Sequence, residues 1–133
     1  MSLFFEFNLK KIKPNGFSSL NPYIIRNILS KYSIYKIIIK WPNDLLVKNR
    51  KLCGILQEVI EYKNRKFLII GIGINTNLKP KNSSFLSTSL KHITKKNIDN
   101  KKLFIMIKKN YEKFLLKASR NSFSELKRFT KKL

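Results

Sequence analysis

The sequence predicts an α+β domain, a mostly antiparallel or mixed sheet packed against helices on one side. Two features of its order lead there. A strand-like segment opens the chain, a helical one follows, and four more strand-like segments come in close succession with short, turn-rich connections. Apolar residues then recur at helical spacing through the last third. At 133 residues the chain is one domain, and its 43% hydrophobic content, ten Phe included, is enough for a core.

Residues 2–9 (SLFFEFNL) read as the first strand. Residues 10–17 contain Pro14-Asn15-Gly16 and read as a loop. Asn21-Pro22 then opens a helix running to about Tyr32, because proline suits the first helical position. Ile24, Ile25, Ile28, Leu29 and Tyr32 supply its apolar face. Residues 36–41 are a strand, Pro42-Asn43-Asp44 a turn, residues 45–48 a short strand and Asn49-Arg50 a tight connection. Residues 51–60 form the next strand, and Tyr62 to Arg65 turn the chain back. Residues 66–74 (KFLIIGIGI) are a nearly continuous apolar strand whose glycines point to a bend or to close backbone approach.

Residues 76–84 read as loop and 85–92 as a short helix. Asp99 caps a long helix over residues 100–118, with Leu103, Phe104, Ile107, Tyr111, Phe114, Leu115 and Ala118 at helical spacing. Ser122 and Glu125 have the spacing of a capping box before a last helix, whose buried face is Phe123, Leu126 and Phe129.

The charge is extreme, 29 Lys+Arg against seven Asp+Glu, a formal +22. Such a balance can mark an anion or nucleic-acid binder. Here the lysines are spread along the whole chain rather than gathered in one stripe, so compositional drift is the simpler reading. A single cysteine, Cys53, excludes an intrachain disulfide and a multi-cysteine zinc site, and a single histidine, His92, excludes a histidine cluster. Cys53 sits in an apolar run and reads as a small buried hydrophobe. No apolar run approaches the length of a membrane span, and the opening residues lack a signal-peptide pattern. The expected compartment is the cytoplasm.

Three blocks carry the chemistry: Lys40-Trp41-Pro42-Asn43-Asp44, Lys51-Leu52-Cys53-Gly54-Ile55-Leu56 and Ile70-Gly71-Ile72-Gly73-Ile74-Asn75. They set turn residues, a lysine and three glycines among apolar strands, the make-up of a small-molecule site. Lys51 can act as a point charge on developing negative charge, or merely blunt a sheet edge. Asp44 either bonds its own turn or helps hold magnesium with a nucleotide. Asn43 caps the turn or meets a ligand. Trp41 reads as core or pocket wall. Gly54, Gly71 and Gly73 let the backbone lie against a ligand. Gly71-x-Gly73 is not a dinucleotide fingerprint, because a third glycine and an immediate helix are missing. Asn75 ends the strand, as a turn residue or a nucleotide contact.

In this order and spacing the blocks resemble the catalytic domain of bacterial biotin–protein ligases, the biotin–[acetyl-CoA-carboxylase] ligases. Members carry Lys-Trp-Pro-Asn-Asp, then Lys-Leu-x-Gly-Ile-Leu, then Gly-x-Gly-x-Asn, and a Thr-Ser-Leu signal matched by Thr88-Ser89-Leu90. The opening Ser2-Leu3-Phe4-Phe5 also resembles a strand of that domain. The likeness covers roughly residues 2–133.

The resemblance implies a class II synthetase-like biotin/lipoate ligase fold, present in part. It implies formation of biotinyl-AMP from biotin and ATP with Mg²⁺. Biotin would then pass to a lysine of the biotin carboxyl carrier domain of acetyl-CoA carboxylase. By the same resemblance Lys51 is the central active-site lysine, and Asp44 works around Mg²⁺ and the ATP phosphates with Asn43 beside it. Gly54, Ile55 and Leu56 line the biotin side, Gly71 and Gly73 form the floor, and Asn75 lies toward the nucleotide.

The family's Gly-Arg-Gly-Arg-x-Gly-Arg loop, its ureido-recognising segment, its N-terminal helix-turn-helix and its C-terminal β-barrel have no counterpart in these 133 residues. The chain is therefore expected to be the middle and later part of a catalytic domain, with apolar sheet surface left exposed. Family enzymes often dimerise through this sheet, an option the resemblance extends to this chain. A lipoate or octanoate transferase of the wider superfamily is the alternative, against which the Lys-Trp-Pro-Asn-Asp block stands. A basic nucleic-acid binder gives no reason for that block.

Overall fold

A computed structural model describes residues 1–6, 13–81, 85–118, 120–121 and 123–132. The elements in order are β1 (Ser2–Glu6), α1 (Pro14–Leu29), β2 (Ile37–Lys40), β3 (Asp44–Val47), β4 (Arg50–Tyr62), β5 (Arg65–Ile74), α2 (Leu90–Thr94), α3 (Asn100–Ala118) and α4 (Phe123–Lys132). The strands form one five-stranded sheet in the order β1-β5-β4-β3-β2, antiparallel at every pairing. Continuation of the first strand through residues 7–9, the Ser122 cap and the Phe129 side chain lie outside the described residues.

Two hairpins build the centre of the sheet. Lys48-Asn49 and Lys63-Asn64 both have positive φ, the conformation of two-residue turns whose twist matches that of the strands they join. Asparagine tolerates that region better than most residues. The first turn lies one residue earlier than the expected Asn49-Arg50, and Arg50 already belongs to β4.

Helix α1 differs from expectation more. It begins at Pro14, which takes the first-turn position, and runs through Pro22. An interior proline removes a backbone hydrogen bond and crowds the preceding turn, at a cost of about 3 kcal/mol. The gain is about two extra turns and more of apolar stripe: Phe17 and Leu20 join Ile24, Ile25 and Ile28 in the core. Burial of two such side chains is worth about 1.5–3 kcal/mol each, enough to offset the proline. Phe17 meets Phe114 of α3 edge-on, ring centroids 5.3 Å apart.

Asn21 is therefore no cap. It is fully buried, its Nδ2 donates to Gln57 Oε1 of β4 (2.8 Å), and its Oδ1 accepts from the Tyr111 hydroxyl of α3 (3.1 Å). Three elements are thereby tied at one point.

Residues 85–89 are not helical. Ser89 is extended, and its side chain accepts from the His92 N–H, so the helix starts only at Leu90. Helices α3 and α4 fall where the periodicity places them. Leu103, Ile107, Tyr111, Phe114, Ala118 and Leu126 are buried, whereas Phe104 turns outward.

Helices α1, α3 and α4 lie with the core on one face of the sheet. On the other face Ile38, Phe4 and Leu56 are exposed, and Phe4 stacks on Phe67. This matches the expected apolar exposure. None of the described helices is long and apolar enough to cross a membrane.

Tyr111→Phe should lower stability by about 1–3 kcal/mol in urea unfolding, because Asn21 Oδ1 loses its buried donor. Asn21→Ala, which removes both bonds, should cost more. Cys53 is buried in the core, and desolvation first, then the nearby Asp44 charge, push its thiol up to about 12 from an ordinary 9.0. Iodoacetamide should leave it unmodified in the native chain at mildly alkaline pH and alkylate it in urea. The folded state holds this proton more tightly than the unfolded state. Its contribution to stability is therefore full below about pH 9 and is lost as pH rises toward 12, which pH-dependent urea midpoints would report.

Candidate active site

The site is laid out by sheet register. Lys40 pairs with Asp44, Asp44 with Gly54 and Gly54 with Gly73, a row crossing β2, β3, β4 and β5. Two residues along, Leu56 pairs with Gly71 and Gly71 with Ser2. Directly opposed residues share a face. Cys53 and Ile55, buried at 1% and 5% exposure, point to the helices, so both rows lie on the open face.

Lys51 should by strict alternation face the helices with Cys53 and Ile55. A bulge prevents this. Leu45 pairs with Cys53 but Leu46 with Lys51, leaving Leu52 as the extra residue in β4. Leu52 turns fully into the core, and the Lys51 side chain reaches the open face. There its Nζ lies 2.7 Å from Asp44 Oδ1. A Cβ on Gly54 would stand 3.3 Å from Lys51 Cε and 3.5 Å from Asp44 Oδ1, so the pair lies flat on that glycine. The pair is partly exposed, 35% for Lys51 and 21% for Asp44. Its contribution to stability is accordingly about 0–1 kcal/mol, and its significance is positional.

The Lys51 backbone is held as firmly as its side chain. Its N–H donates to Leu86 O (2.8 Å), and its carbonyl accepts from Thr88 N–H (2.9 Å) and Asn75 Nδ2 (3.3 Å). Ser87 thus forms a parallel bridge to Lys51. Asn75 also donates its N–H to Leu52 O and accepts from Leu90 N–H, stitching the end of β5 to β4 and to α2. The Phe85 ring centroid is 5.8 Å from Lys51 Nζ.

Two hollows meet at this lysine. An open trough of about 380 Å³ lies over Asn43, Asp44, Leu56, Gly71 and Gly73, and a smaller hollow of about 190 Å³ is walled by Asn75, Pro80, Phe85 and Ser87. Both include Lys51, Gly54 and Gly73. Roomier hollows of 430–480 Å³ elsewhere include neither Asp44, Lys51 nor the glycines among their described walls.

Most residues singled out in the sequence converge here, with three refinements. Ile55 borders the trough only through its backbone, because its side chain is in the core. Asn43 gives its carbonyl to Ile55 N–H (2.9 Å) and has an exposed side chain. Trp41 is neither core nor trough wall: it is 52% exposed and leans edge-on against Tyr23 of α1. Phe85 and Ser87 are the additions. Their sequence signal was weak, a phenylalanine and a serine just before Thr88-Ser89-Leu90.

An ammonium has three N–H donors, and Asp44 uses one. The others can serve a carboxylate or phosphate oxygen by short, charge-assisted bonds. Cys53, buried beneath and held protonated, is no nucleophile.

The profile of the Biotin/lipoate A/B protein ligase family matches residues 1–75. The bifunctional ligase/repressor BirA of Escherichia coli (strain K12) is 33% identical over 76 residues, 56% of this chain and 24% of that protein. BirA of Bacillus subtilis (strain 168) is 51% identical over 43 residues, 32% of this chain and 13% of that one. The apo structure of the biotin protein ligase from Aquifex aeolicus superposes with a TM-score of 0.72 at 25% identity, over 97% of this chain and 58% of that chain. The same enzyme in complex with biotin and ATP gives 0.69 at 26%, over 97% and 55%. The chain thus spans a quarter or less of these two curated relatives and somewhat over half of the solved chains. Its fold is that of biotin protein ligase catalytic domains. With the profile match extending over more than half of its length, the chain belongs to the biotin/lipoate A/B protein ligase family.

Proposed function

We propose that this chain carries the central part of the active site of an ATP-dependent biotin–protein ligase. In the reaction a biotin carboxylate oxygen attacks the α-phosphorus of ATP, pyrophosphate leaves, and biotinyl-5′-AMP forms. The side-chain amine of a lysine on the biotin carboxyl carrier domain of acetyl-CoA carboxylase then attacks the acyl carbon, and AMP leaves. The observation that carries this reading is the Lys51 ammonium, seated on Gly54 where the two hollows join. A group there can bond at once to a carboxylate in the trough and a phosphate at its edge. Such a fixed donor favours the charge that builds up as the acyl phosphate forms.

The glycine floor supports the same reading. A Cβ on Gly71 or Gly73 would meet its nearest described neighbours only at 3.7–3.8 Å, so internal packing does not demand glycine there. What the missing side chains provide is open floor, on which a flat bicyclic ligand can lie beside exposed Leu56. Asn75 and Phe85 are then placed for the nucleotide end, in the smaller hollow. The adenylate is itself the activated species, so no protein nucleophile is needed.

The family also includes lipoate ligases. The Lys-Trp-Pro-Asn-Asp block and the BirA relatives favour biotin, and competition between biotin and lipoate for the trough separates the two.

In calorimetric titration with a non-hydrolysable biotinyl-AMP analogue, Lys51→Ala should weaken binding about 10- to 150-fold, the worth of a hydrogen bond to a charged group. Unchanged affinity would remove Lys51 from the role assigned to it. Gly71→Val should weaken biotin binding by filling the floor while leaving the thermal midpoint nearly unchanged. A large fall in that midpoint would mean the glycine serves packing instead.

A further inference from the structure

We infer that Asp44 is a positioning residue for Lys51 and not the ligand of a resident divalent cation, and that Gly54 leaves the room in which this ion pair sits. What the seated lysine then does rests on the proposed function; the seat itself does not.

Three observations carry the inference. The first is the 2.7 Å contact, which commits Asp44 Oδ1 to the ammonium. A dication placed on the same carboxylate would stand within a few ångströms of Lys51 Nζ and be repelled by it. The second is the donor set. Magnesium requires near-octahedral oxygen coordination. Among the described residues no three His, Cys, Asp or Glu side chains converge on a common point. Other acids are engaged elsewhere: Glu6 with Arg65, Asp99 with Lys102 and Glu112 with Lys108. These residues do not fit a resident divalent cation. The third is Gly54, where a Cβ would stand 3.3 Å from Lys51 Cε, tighter than ordinary packing, and reach van der Waals contact with Asp44 Oδ1 at 3.5 Å.

One consequence follows for recognition. The pair is neutral overall, so an anion is read by the two remaining N–H donors and their direction rather than by local net charge. Binding there should depend only weakly on salt, despite the +22 of the chain.

The test needs neither biotin nor ATP. Lysine acetylation by a water-soluble N-hydroxysuccinimide ester, quantified by peptide mass spectrometry, compares Lys51 with exposed Lys91 in the wild-type chain, Asp44→Asn and Gly54→Ala. The expected result is a rise at Lys51 of about two- to fivefold in Asp44→Asn, the loss of a partly exposed pair. A rise of the same sign is expected in Gly54→Ala, with Lys91 unchanged in both. Titration of the wild-type chain with Mn²⁺ alone should produce no saturable paramagnetic broadening at the amides of Asn43, Asp44 and Gly54. Unaltered Lys51 reactivity in Asp44→Asn would overturn the inference, as would saturable Mn²⁺ broadening at Asp44. If Asp44→Asn does not fold, Gly54→Ala and the wild-type titration still decide. A chain that passes these tests yet fails to bind biotin defeats the proposed function and leaves this inference standing.

Discussion

The bulge at Leu45/Leu46, with Leu52 as the inserted residue, determines which way Lys51 faces. Without it the strict two-residue period of a strand would bury an ammonium among Cys53, Ile55 and the helices. Desolvating an unpaired charge there would cost several kcal/mol. The inserted residue is itself apolar and takes the core position, so the irregularity costs little. Pairing of β4 with β5 ends at Cys53 and Ile74, and beyond it the segment Leu86–Thr88 bonds both backbone groups of Lys51. The bulge, the bridge at Ser87 and the Asn75 carboxamide are three parts of one local solution.

The same economy appears on the helix side. Helix α1 accepts a proline in its interior because the added turns bury Phe17 and Leu20 and bring Asn21 between Gln57 and Tyr111. A buried amide satisfied from two other elements fixes how α1 and α3 sit on β4. Displacement of α1 along the sheet would break both bonds at once. The strand so anchored, β4, is the one that carries both Lys51 and Gly54.

Much of this was legible in the residues. The order of the strands, the two central hairpins and the long helix over 100–118 followed from period and turn chemistry. Asn21-Pro22 misled for a physical reason: asparagine before proline is a helix start by local preference, and only the partners of Asn21 in β4 and α3, 36 and 90 residues away, make it an interior residue. Residues 85–89 misled similarly. Their local pattern allows a helix, but the exposed backbone of Lys51 at the bulge offers hydrogen bonds that an isolated segment cannot anticipate. Trp41, apolar by composition, stands outside the core, edge-on to the half-buried Tyr23 of α1.

The sequence by itself determined the fold class, the family resemblance and the residue types gathered at the site, because apolar periods and turn residues act locally and motif spacing is read along the chain. Tertiary structure alone decided which of those residues share a face. Asp44 and Lys51 are seven positions apart on different strands, and a one-residue insertion separates a salt-bridged pair over a glycine from a lysine turned inward. Register in a sheet is a cooperative property of paired strands, and no single strand's sequence contains it.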